Sequence, residues 1–410
     1  MHNHKTVLTI KCLFFALVVA GCGSTSLSNS ERFYGSGTVS DPYLIFNKTD
    51  FMKIGGGFDT KNIYYRLEAD LVGKNTITKP LGDKDSPFLG IFEGNGHTVN
   101  LEIIGNHYLS GLFAQIGEGN NTPWYYLQPG IVKNLKLTGI VDVEGDNVYR
   151  AGALAGLVRN YGSEISGIAS TVSVTVKGPN VQAAGGVTSA LLSAKIEHSY
   201  STGNVFIHNT QNTRVVVGGI TVGGQDGIIR NCWASGNIES KRTNTAVFHG
   251  KNFTGGIVGY PVKEVIYSVA LNEIIAGDSV STCEEVGTPH FEPVDFGTDG
   301  ILYHCGNYGT FRIGTGFEIL HRPIELKSNY ANKAMVVDNG LGWGSDVEMY
   351  DSLNVGANER HGAGVSIEET EADDGVWWKT TAGWAGYFGE SESAPWKWDA
   401  ISKRPVLWFE

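Results

Sequence analysis

Adjacent carboxylates are the first residues in this chain that could do chemistry. Asp373 and Asp374 stand side by side, whereas Asp226, in the segment GGQDG, has no neighbouring acid. Two carboxylates can hydrolyse a glycosidic bond, because one protonates the leaving oxygen while the other directs water. Asp373 and Asp374, however, end the acidic run EETEADD (368–374), which is typical of a solvated charged loop. We therefore predict no catalytic carboxylate pair.

Other catalytic and metal-binding patterns are missing from the sequence. The segment HRPIE (321–325) has one histidine and lacks the spacing of a His-Glu-x-x-His zinc site. There is no G-x-S-x-G nucleophile elbow, no P-loop and no C-x-x-C pair. Arg214 and Arg230 are isolated and are predicted to lie on the surface. We predict a protein without enzymatic activity, metal or cofactor, although distant residues could still converge in space.

The charge balance argues against a nucleic-acid partner. The formal net charge is −11 at pH 7, and no run of Lys or Arg is available to neutralise phosphates.

Apolar residues make up 41 % of the chain, enough for a large core.

The N-terminus is typical of an exported lipoprotein. A short apolar segment, Cys12 to Ala20, is too short to span a bilayer and is followed by Gly21 and Cys22. This order resembles the bacterial lipobox, which implies cleavage before Cys22 and a thioether-linked diacylglycerol on its sulfur, with acyl chains such as palmitate. An ordinary secretory signal with an incidental cysteine is the alternative. Gly23 leaves no aspartate after Cys22, which by the same resemblance favours the outer membrane.

A repeat of 33 residues organises the middle of the chain. The segments GGVTSALLSAKIEHSYSTGN (185–204) and GGITVGGQDGIIRNCWASGN (218–237) place Ile196 with Ile229 and Tyr200 with Trp233. A third copy begins at Gly255, 37 residues after Gly218, and a degenerate copy begins near Gly152. A fixed period of this length indicates stacked units, and the short β-branched runs between glycines favour strands over helices. We expect Ile196/Ile229 and Tyr200/Trp233 to form internal ladders.

These residues resemble the GLUG motif of bacterial surface and adhesin-like proteins. The resemblance rests on GGIVGY (255–260) and on the Ile-x-Asn-Cys/Ser-aromatic segment of each copy. Flanking segments at 34–54, and at 90–116 followed by 130–139, resemble companion segments that are common in such proteins. It implies an all-β fold, a right-handed parallel β-helix or β-solenoid with a short N-terminal cap and a Trp-rich C-terminal cap.

The expected domain organisation has four parts. They are a signal peptide at 1–21, a flexible tether at 22–32, a β-solenoid at 33–277 with GLUG-like repeats over about 152–277, and an irregular insertion with a C-terminal cap at 278–410. In the first turn, NKTDFMKI (47–54) predicts a short helix capped by Thr49 or Asp50.

Cysteines and aromatic residues supply the remaining candidates. Cys232 occupies the position of Ser199 in the preceding copy and is predicted to be a small buried side chain. Cys283 and Cys305 are candidates for a disulfide, and the sequence leaves their pairing open.

Adjacent aromatics on a loop can bind sugars or proteins. Trp124, Tyr125 and Tyr126 form such a candidate ligand-contact loop, or else they fold back onto the body of the protein. Six of the nine tryptophans lie in residues 377–408, and we expect them to form the C-terminal cap.

The sequence therefore favours a non-enzymatic, lipid-anchored protein of the bacterial cell envelope. Its partners would be the membrane, through Cys22, and a glycan or surface-protein ligand bound on a lateral surface. A carbohydrate-active enzyme or glycan-binding protein on the same scaffold is the alternative. A purely structural surface protein is a third interpretation.

Overall fold

A computed structural model of the chain describes residues 33–55, 57–118, 128–211, 215–243, 252–260, 262–277, 307–311, 325–338, 365–389 and 391–410. Phe33–Glu410 form one compact unit. This unit is nearly all β, with large parallel sheets. Within the ranges given above, no helix has both the length and the apolar character that a membrane crossing requires.

The large sheet contains 20 strands of the described chain and pairs them in parallel. Its strands are Tyr43–Ile45, Tyr64–Leu67, Ile91–Glu93, Thr98–Gly105, Ile131–Glu144, Glu164–Ser170, Ser173–Gly178, Lys195–Glu197, Tyr200–Ser201, Val205–Asn209, Ile228–Arg230, Trp233–Ala234, Ile238–Arg242, Glu264–Ile266, Val269–Ala270, Ile274–Ala276, Glu325–Lys327, Tyr330–Asn332, Val336–Asp338 and Val365–Ile367.

Two smaller parallel sheets accompany the large sheet. The six-stranded sheet consists of Leu109–Ser110, Arg150–Gly152, Ala183–Gly185, Val216–Gly218, Asn252–Gly255 and Asn307–Phe311. The three-stranded sheet consists of Phe113–Ile116, Ala155–Arg159 and Thr188–Leu192. One antiparallel hairpin, Trp396–Asp399 with Arg404–Leu407, lies near the C-terminus.

Successive repeat units pair in the register that the sequence predicts. Ile196 is the partner of Ile229, Tyr200 is the partner of Trp233, and Gly185 is the partner of Gly218. The offset is 33 residues in all three pairs, so the predicted alignment of the copies is confirmed. Ile196 and Ile229 are both 0 % exposed and belong to one continuous core cluster.

A left-handed bend in the large sheet recurs in six successive units. Its residues have φ near +50 to +65° and occupy equivalent positions in the register: Asn134, Gly167, His198, Asn231, Tyr267 and Ser328. Left-handed backbone costs a non-glycine residue roughly 1 kcal/mol, so asparagine, glycine and serine suit the position better than tyrosine.

Glycine is required where neighbouring units approach most closely. A Cβ on Gly236 would lie 1.9 Å from the carbonyl oxygen of Gly203, and one on Gly203 would lie 1.9 Å from that of Val172. These contacts explain why Gly-Asn recurs in the repeat.

The ladder formed by Tyr200 and Trp233 lies outside the central core, which corrects one expectation. Their rings stack at 4.6 Å between centroids and 9° between planes. They belong to a second cluster, together with the buried rings of Trp378, Trp384 and Trp396. The aromatic ladder therefore faces outward from the large sheet and is covered by the C-terminal segment.

The C-terminal segment, residues 365–410, consequently lies across several units rather than on the last one alone. The Tyr200 hydroxyl donates to Glu410 Oε1 at 2.8 Å, and Trp233 Nε1 donates to the Pro405 carbonyl at 3.2 Å. A Cβ on Gly96 would touch Phe409, so the segment reaches an early unit as well.

The expected boundary at residue 277 is placed too early. Asn307–Phe311 pair with Asn252–Gly255, and Glu325–Lys327 pair with Glu264–Ile266. The stack of parallel strands thus continues into the range expected to be an irregular insertion.

The three helices of the described chain are short. Helix α1, Lys48–Lys53, is the predicted N-terminal helix, but its N-cap is Asn47, whose side chain accepts from the Asp50 amide. Its Phe51 packs edge-on against Phe92 and closes the core there. Short 3₁₀ turns follow at Gly57–Thr60 and Gly73–Asn75, and another lies at Ala385–Tyr387.

The acidic run 368–374 is mostly exposed, as expected for a solvated charge run, but it is helical rather than a loop. It forms helix α2, Glu369–Ala372, and leads into helix α3, Gly375–Thr380. Glu368 and Glu371 make a capping box, and Asp374 caps α3 by accepting from the Val376 amide. Negative charge is favourable at helix N-termini, so the run has a structural role.

Candidate functional site

Several residues singled out in the sequence lie outside the described residues. They are Cys22, the candidate loop residues Trp124, Tyr125 and Tyr126, and the candidate disulfide pair Cys283 and Cys305. The described ends of that aromatic loop are held together, because the Glu118 amide donates to the Gln128 carbonyl at 2.9 Å.

Cys232 is a free, fully buried thiol, as predicted. Burial raises its pKa to about 12. Its Sγ lies 3.2 Å from the Arg230 carbonyl, and the Ser199 and Ser268 hydroxyls make the equivalent contact in the adjacent units. This position of the repeat therefore favours a small side chain that can donate a hydrogen bond, weakly from a thiol or more strongly from a hydroxyl.

The candidate acids are engaged in local contacts. Asp226 accepts a hydrogen bond from the Tyr161 hydroxyl at 2.8 Å. Asp373 pairs with Arg404 and Lys403, and the hydrogen bond from Arg404 lowers its pKa. Asp374 is the cap of α3, so the two adjacent carboxylates have separate structural partners.

A ladder of alternating charges crosses the outer face of the large sheet. Lys195 lies 3.5 Å from Glu164 and 2.9 Å from Glu197, while Arg230 lies 3.4 Å from Glu197 and also pairs with Glu264. Arg230 is therefore not isolated, contrary to the sequence expectation. Carboxylates and cations alternate along this ladder and form ion pairs. Opposite charges on neighbouring strands stabilise a sheet.

His198 lies beside this ladder at one of the left-handed bends. Burial lowers its pKa, and the nearby Lys195 charge lowers it further, against the opposing effects of Glu197 and Glu164. Its ring lies 4.8 Å from that of Tyr387 in the C-terminal segment. Within the described ranges, no group of three or more His, Cys, Asp or Glu side chains is placed to hold a metal ion.

A groove at the corner between the large and six-stranded sheets is the best candidate site. It has a volume of about 310 Å³ and is lined by Tyr108, Asp146, Asn147, Tyr149, Asn180 and Gln182. These residues lie in the turns that precede consecutive strands of the six-stranded sheet, where Leu109 pairs with Arg150 and Arg150 pairs with Ala183.

Two stacked tyrosines form one wall of this groove. The rings of Tyr108 and Tyr149 lie 5.0 Å apart and are parallel within 2°. The Arg150 guanidinium lies 4.9 Å from the centre of the Tyr149 ring. Tyr108 remains 41 % exposed, so part of its ring is accessible to a ligand.

Amide and carboxylate side chains also line the groove. The Asn147 backbone N–H donates to Asn106 Oδ1 at 2.9 Å, and the side-chain Nδ2 of Asn180 donates to the Asp146 carbonyl at 2.8 Å. These bonds fix the turns of adjacent units against one another. They leave the exposed Asp146 carboxylate beside the tyrosine wall, in the same groove.

The groove combines a flat aromatic face with hydrogen-bonding groups in fixed positions. A pyranose ring presents apolar C–H bonds on one face and hydroxyls at its edge, so it suits such a surface. A planar peptide group would also fit the aromatic face, but a groove this polar favours hydroxyl-rich ligands.

Sequence reasoning missed this site, although a signal for it exists. The segments NHYLSG (106–111), NVYRAG (147–152) and NVQAAG (180–185) all begin with asparagine and end with glycine. The first two also share a tyrosine at the third position, where the last has glutamine. The first two are 41 residues apart, so a search at the 33-residue step passes over Tyr108.

Comparisons with known proteins give limited relationships. No protein-family model matches the chain. It is similar to halomucin of Haloquadratum walsbyi, with 29 % identity over 182 residues. The match takes in 42 % of this chain and 2 % of halomucin, so the chain spans a very small part of that protein.

One solved structure has a similar fold over most of both chains. It is described as a putative immunoglobulin A1 protease from Bacteroides ovatus, and it matches with a TM-score of 0.53 and 16 % identity. The match covers 92 % of this chain and 95 % of that one. At this identity the likeness concerns the fold alone.

Proposed function

We propose that this protein is a non-enzymatic, lipid-anchored surface protein that binds glycans in the groove beside Tyr108 and Tyr149. The observation that carries the proposal is the parallel tyrosine stack with its partly exposed Tyr108 ring, in a groove that amides and a carboxylate also line. Each stacked sugar would contribute about 1 kcal/mol beyond simple burial of its area, by analogy with aromatic pairs.

The proposed scaffold is a right-handed parallel β-helix, that is, a β-solenoid of the GLUG-repeat type. The near-constant offset between paired strands supports it, since the steps from Ile165 to Ile196, Ile229 and Val265 are 31, 33 and 36 residues. Stacked units of this kind bury their core between neighbours and leave their corners free to carry ligand-binding residues. The groove lies at such a corner.

The proposed location is the bacterial cell envelope, with Cys22 as the lipidated residue and the outer membrane as the favoured site. Support comes from the order Ala20-Gly21-Cys22 after an apolar segment. Incorporation of a labelled palmitate analogue into the wild-type protein, and its loss in Cys22→Ser, is the expected result. Labelling that persists in Cys22→Ser would contradict the anchor.

The proposed absence of catalysis is supported by how the nearby acids are used. In the charge ladder and at Asp373, the carboxylates that lie close together are ion-paired with Lys or Arg. The description of the Bacteroides ovatus structure makes proteolysis the reaction to test first. Cleavage of immunoglobulin A1, or hydrolysis of any polysaccharide, by the purified chain would overturn the proposal.

A glycan-array screen followed by titration calorimetry tests the binding function. We expect saturable binding that Tyr108→Ala weakens at least tenfold, because that substitution removes the partly exposed ring. Tyr161→Ala is a matched control, since Tyr161 is a solvent-exposed tyrosine outside the groove. Binding that survives Tyr108→Ala but fails on Trp124→Ala would assign the site to the predicted aromatic loop instead.

A further inference from the structure

Arg150 and Arg159 differ from the other arginines whose side chains the structure describes. Arg66 pairs with Glu68, Arg230 with Glu197 and Glu264, and Arg404 with Asp373. Over the described ranges, neither Arg150 nor Arg159 has a carboxylate within ion-pair distance. The lack of a carboxylate partner is unusual because both side chains are only partly exposed.

The two arginines extend from adjoining sheets into one concavity. Ala151, next to Arg150, belongs to the central core, so Arg150 points away from that core. Val158 also belongs to the core, and therefore its neighbours Leu157 and Arg159 point outward.

An apolar cluster joins the two outward faces. Leu109 of the six-stranded sheet packs with Leu157 and Ala190 of the three-stranded sheet, and Tyr149 and Leu192 lie against them. Leu109 is the register partner of Arg150, and Leu192 is the partner of Arg159. The guanidinium groups therefore flank one small apolar floor beside the tyrosine wall.

Each guanidinium carries an uncompensated charge. Burial lowers the pKa of Arg159, and the positive charge of Arg150 lowers it further. Arg150 Nε is buried with no hydrogen-bond acceptor among the described residues. Two half-buried like charges without anionic partners are unfavourable in the free protein, and an anion between them would relieve the repulsion and accept from the unused donor.

We propose that Arg150 and Arg159 bind the acidic group, a carboxylate or a sulfate ester, of a polysaccharide whose sugar ring lies on Tyr108. This inference rests on the proposed glycan-binding function and narrows its ligand to acidic glycans. Arg150 adjoins the tyrosine pair, because its guanidinium lies 4.9 Å from the centre of the Tyr149 ring. Asp146, in the same groove, would accept a hydrogen bond from a sugar hydroxyl.

Two matched pairs of polymers test the proposal on the full chain by calorimetry. Polygalacturonate is compared with its fully methyl-esterified form, and dextran sulfate with dextran, so that each pair differs only in charge. We expect the charged member of at least one pair to bind ten- to a hundredfold more tightly, the factor that one or two charge-assisted hydrogen bonds supply. The first pair reports on carboxylates and the second on sulfate esters.

Variants separate specific recognition from general attraction. Arg150→Gln/Arg159→Gln should abolish the preference for the charged polymer, and Arg150→Lys/Arg159→Lys should restore part of it. Lys74→Gln removes one exposed positive charge elsewhere and should leave the preference intact. A preference that Lys74→Gln reduces as much as the arginine variant does would overturn the inference.

The stability of the variants gives a second readout. Because the two guanidinium groups repel each other and lack partners, Arg159→Gln should leave the free protein as stable as the wild type or more stable. Sulfate should raise the Tm of the wild type by more than it raises that of the double glutamine variant. A large loss of stability in Arg159→Gln would show a structural role and contradict the proposal.

The outcomes distinguish this inference from the function on which it rests. Binding of neutral glycans that depends on Tyr108, with no preference for charge, sustains the proposed function and refutes the anionic site. Binding of charged polymers that depends on the arginines but not on Tyr108 sustains the anionic site and refutes the glycan-stacking function. Absence of binding in all four polymers, with equal effects of sulfate on both proteins, refutes the inference.

Discussion

The packing of Trp384 predicts that the C-terminal segment stabilises the outer face of the large sheet. Trp384 is 0 % exposed, and its ring lies 4.8 Å from both Trp378 and Trp396. Its Nε1 donates to the Tyr267 carbonyl at 2.9 Å, which links the segment to a left-handed bend. Trp384→Ala should therefore cost about 3–5 kcal/mol of unfolding free energy, the usual range for a fully buried tryptophan.

Trp384→Phe separates the hydrogen bond from the packing. It keeps an aromatic ring but leaves the Tyr267 carbonyl without its donor, so it should cost about 1–3 kcal/mol. Val376→Ala is the control within the same segment, because Val376 is 62 % exposed and should change stability by less than about 0.5 kcal/mol.

The assay combines guanidinium unfolding with native-state hydrogen exchange. Stacked repeat proteins can open locally, so the loss is expected first in the exchange of amides in residues 365–410 and around Trp233. The amide of Ile229, whose side chain lies in the central core, should keep its protection. If Trp384→Ala shifts the unfolding midpoint no more than Val376→Ala does, or if Ile229 loses protection equally, the reasoning is wrong.

Three further predictions concern side chains of the large sheet. Burial lowers the pKa of His198, so below about pH 6.5 the unfolded chain binds a proton at this residue that the folded chain does not. The free energy of unfolding should therefore fall from pH 7 to pH 5. Urea unfolding at several pH values should show a smaller fall for His198→Asn. Arg230→Met should cost about 1–2 kcal/mol by leaving Glu264 nearly buried and unpaired, and adding Glu264→Gln should recover most of that loss in the same assay. Cys232, with a pKa of about 12, should resist iodoacetamide at pH 8 in the native protein and react after unfolding, as peptide mass mapping will show; rapid native labelling would contradict its burial.

The repeat register was predictable because the sequence repeats the residues that fix it. Ile196 and Ile229 share a position on the inward face, and Gly203 and Gly236 share a position at which the next backbone leaves no room for a Cβ. Each constraint acts between neighbouring units, so the same residue type recurs at the same step.

The position of the aromatic ladder was not predictable in the same way. Tyr200 and Trp233 repeat as regularly as the isoleucines, but a large apolar side chain can be buried by either face of a sheet. What covers them is a segment distant in sequence, and periodicity carries no information about such a partner. The continuation past residue 277 was missed for a related reason: the step from Val265 to its partner Leu326 is 61 residues.

The candidate site has one part that the repeat register sets and another that depends on residues from a different sheet. Tyr108 and Tyr149 are register neighbours, so the stack of units sets their ring spacing at 5.0 Å without any dedicated contact. Arg159 lies on a different sheet, and only the fold brings it to the same concavity as Arg150. In the following units the position of Arg150 is occupied by Ala183 and then by Val216. One unit of an otherwise regular stack thus carries two partly buried cations without anionic partners, which the acidic ligand proposed above would neutralise.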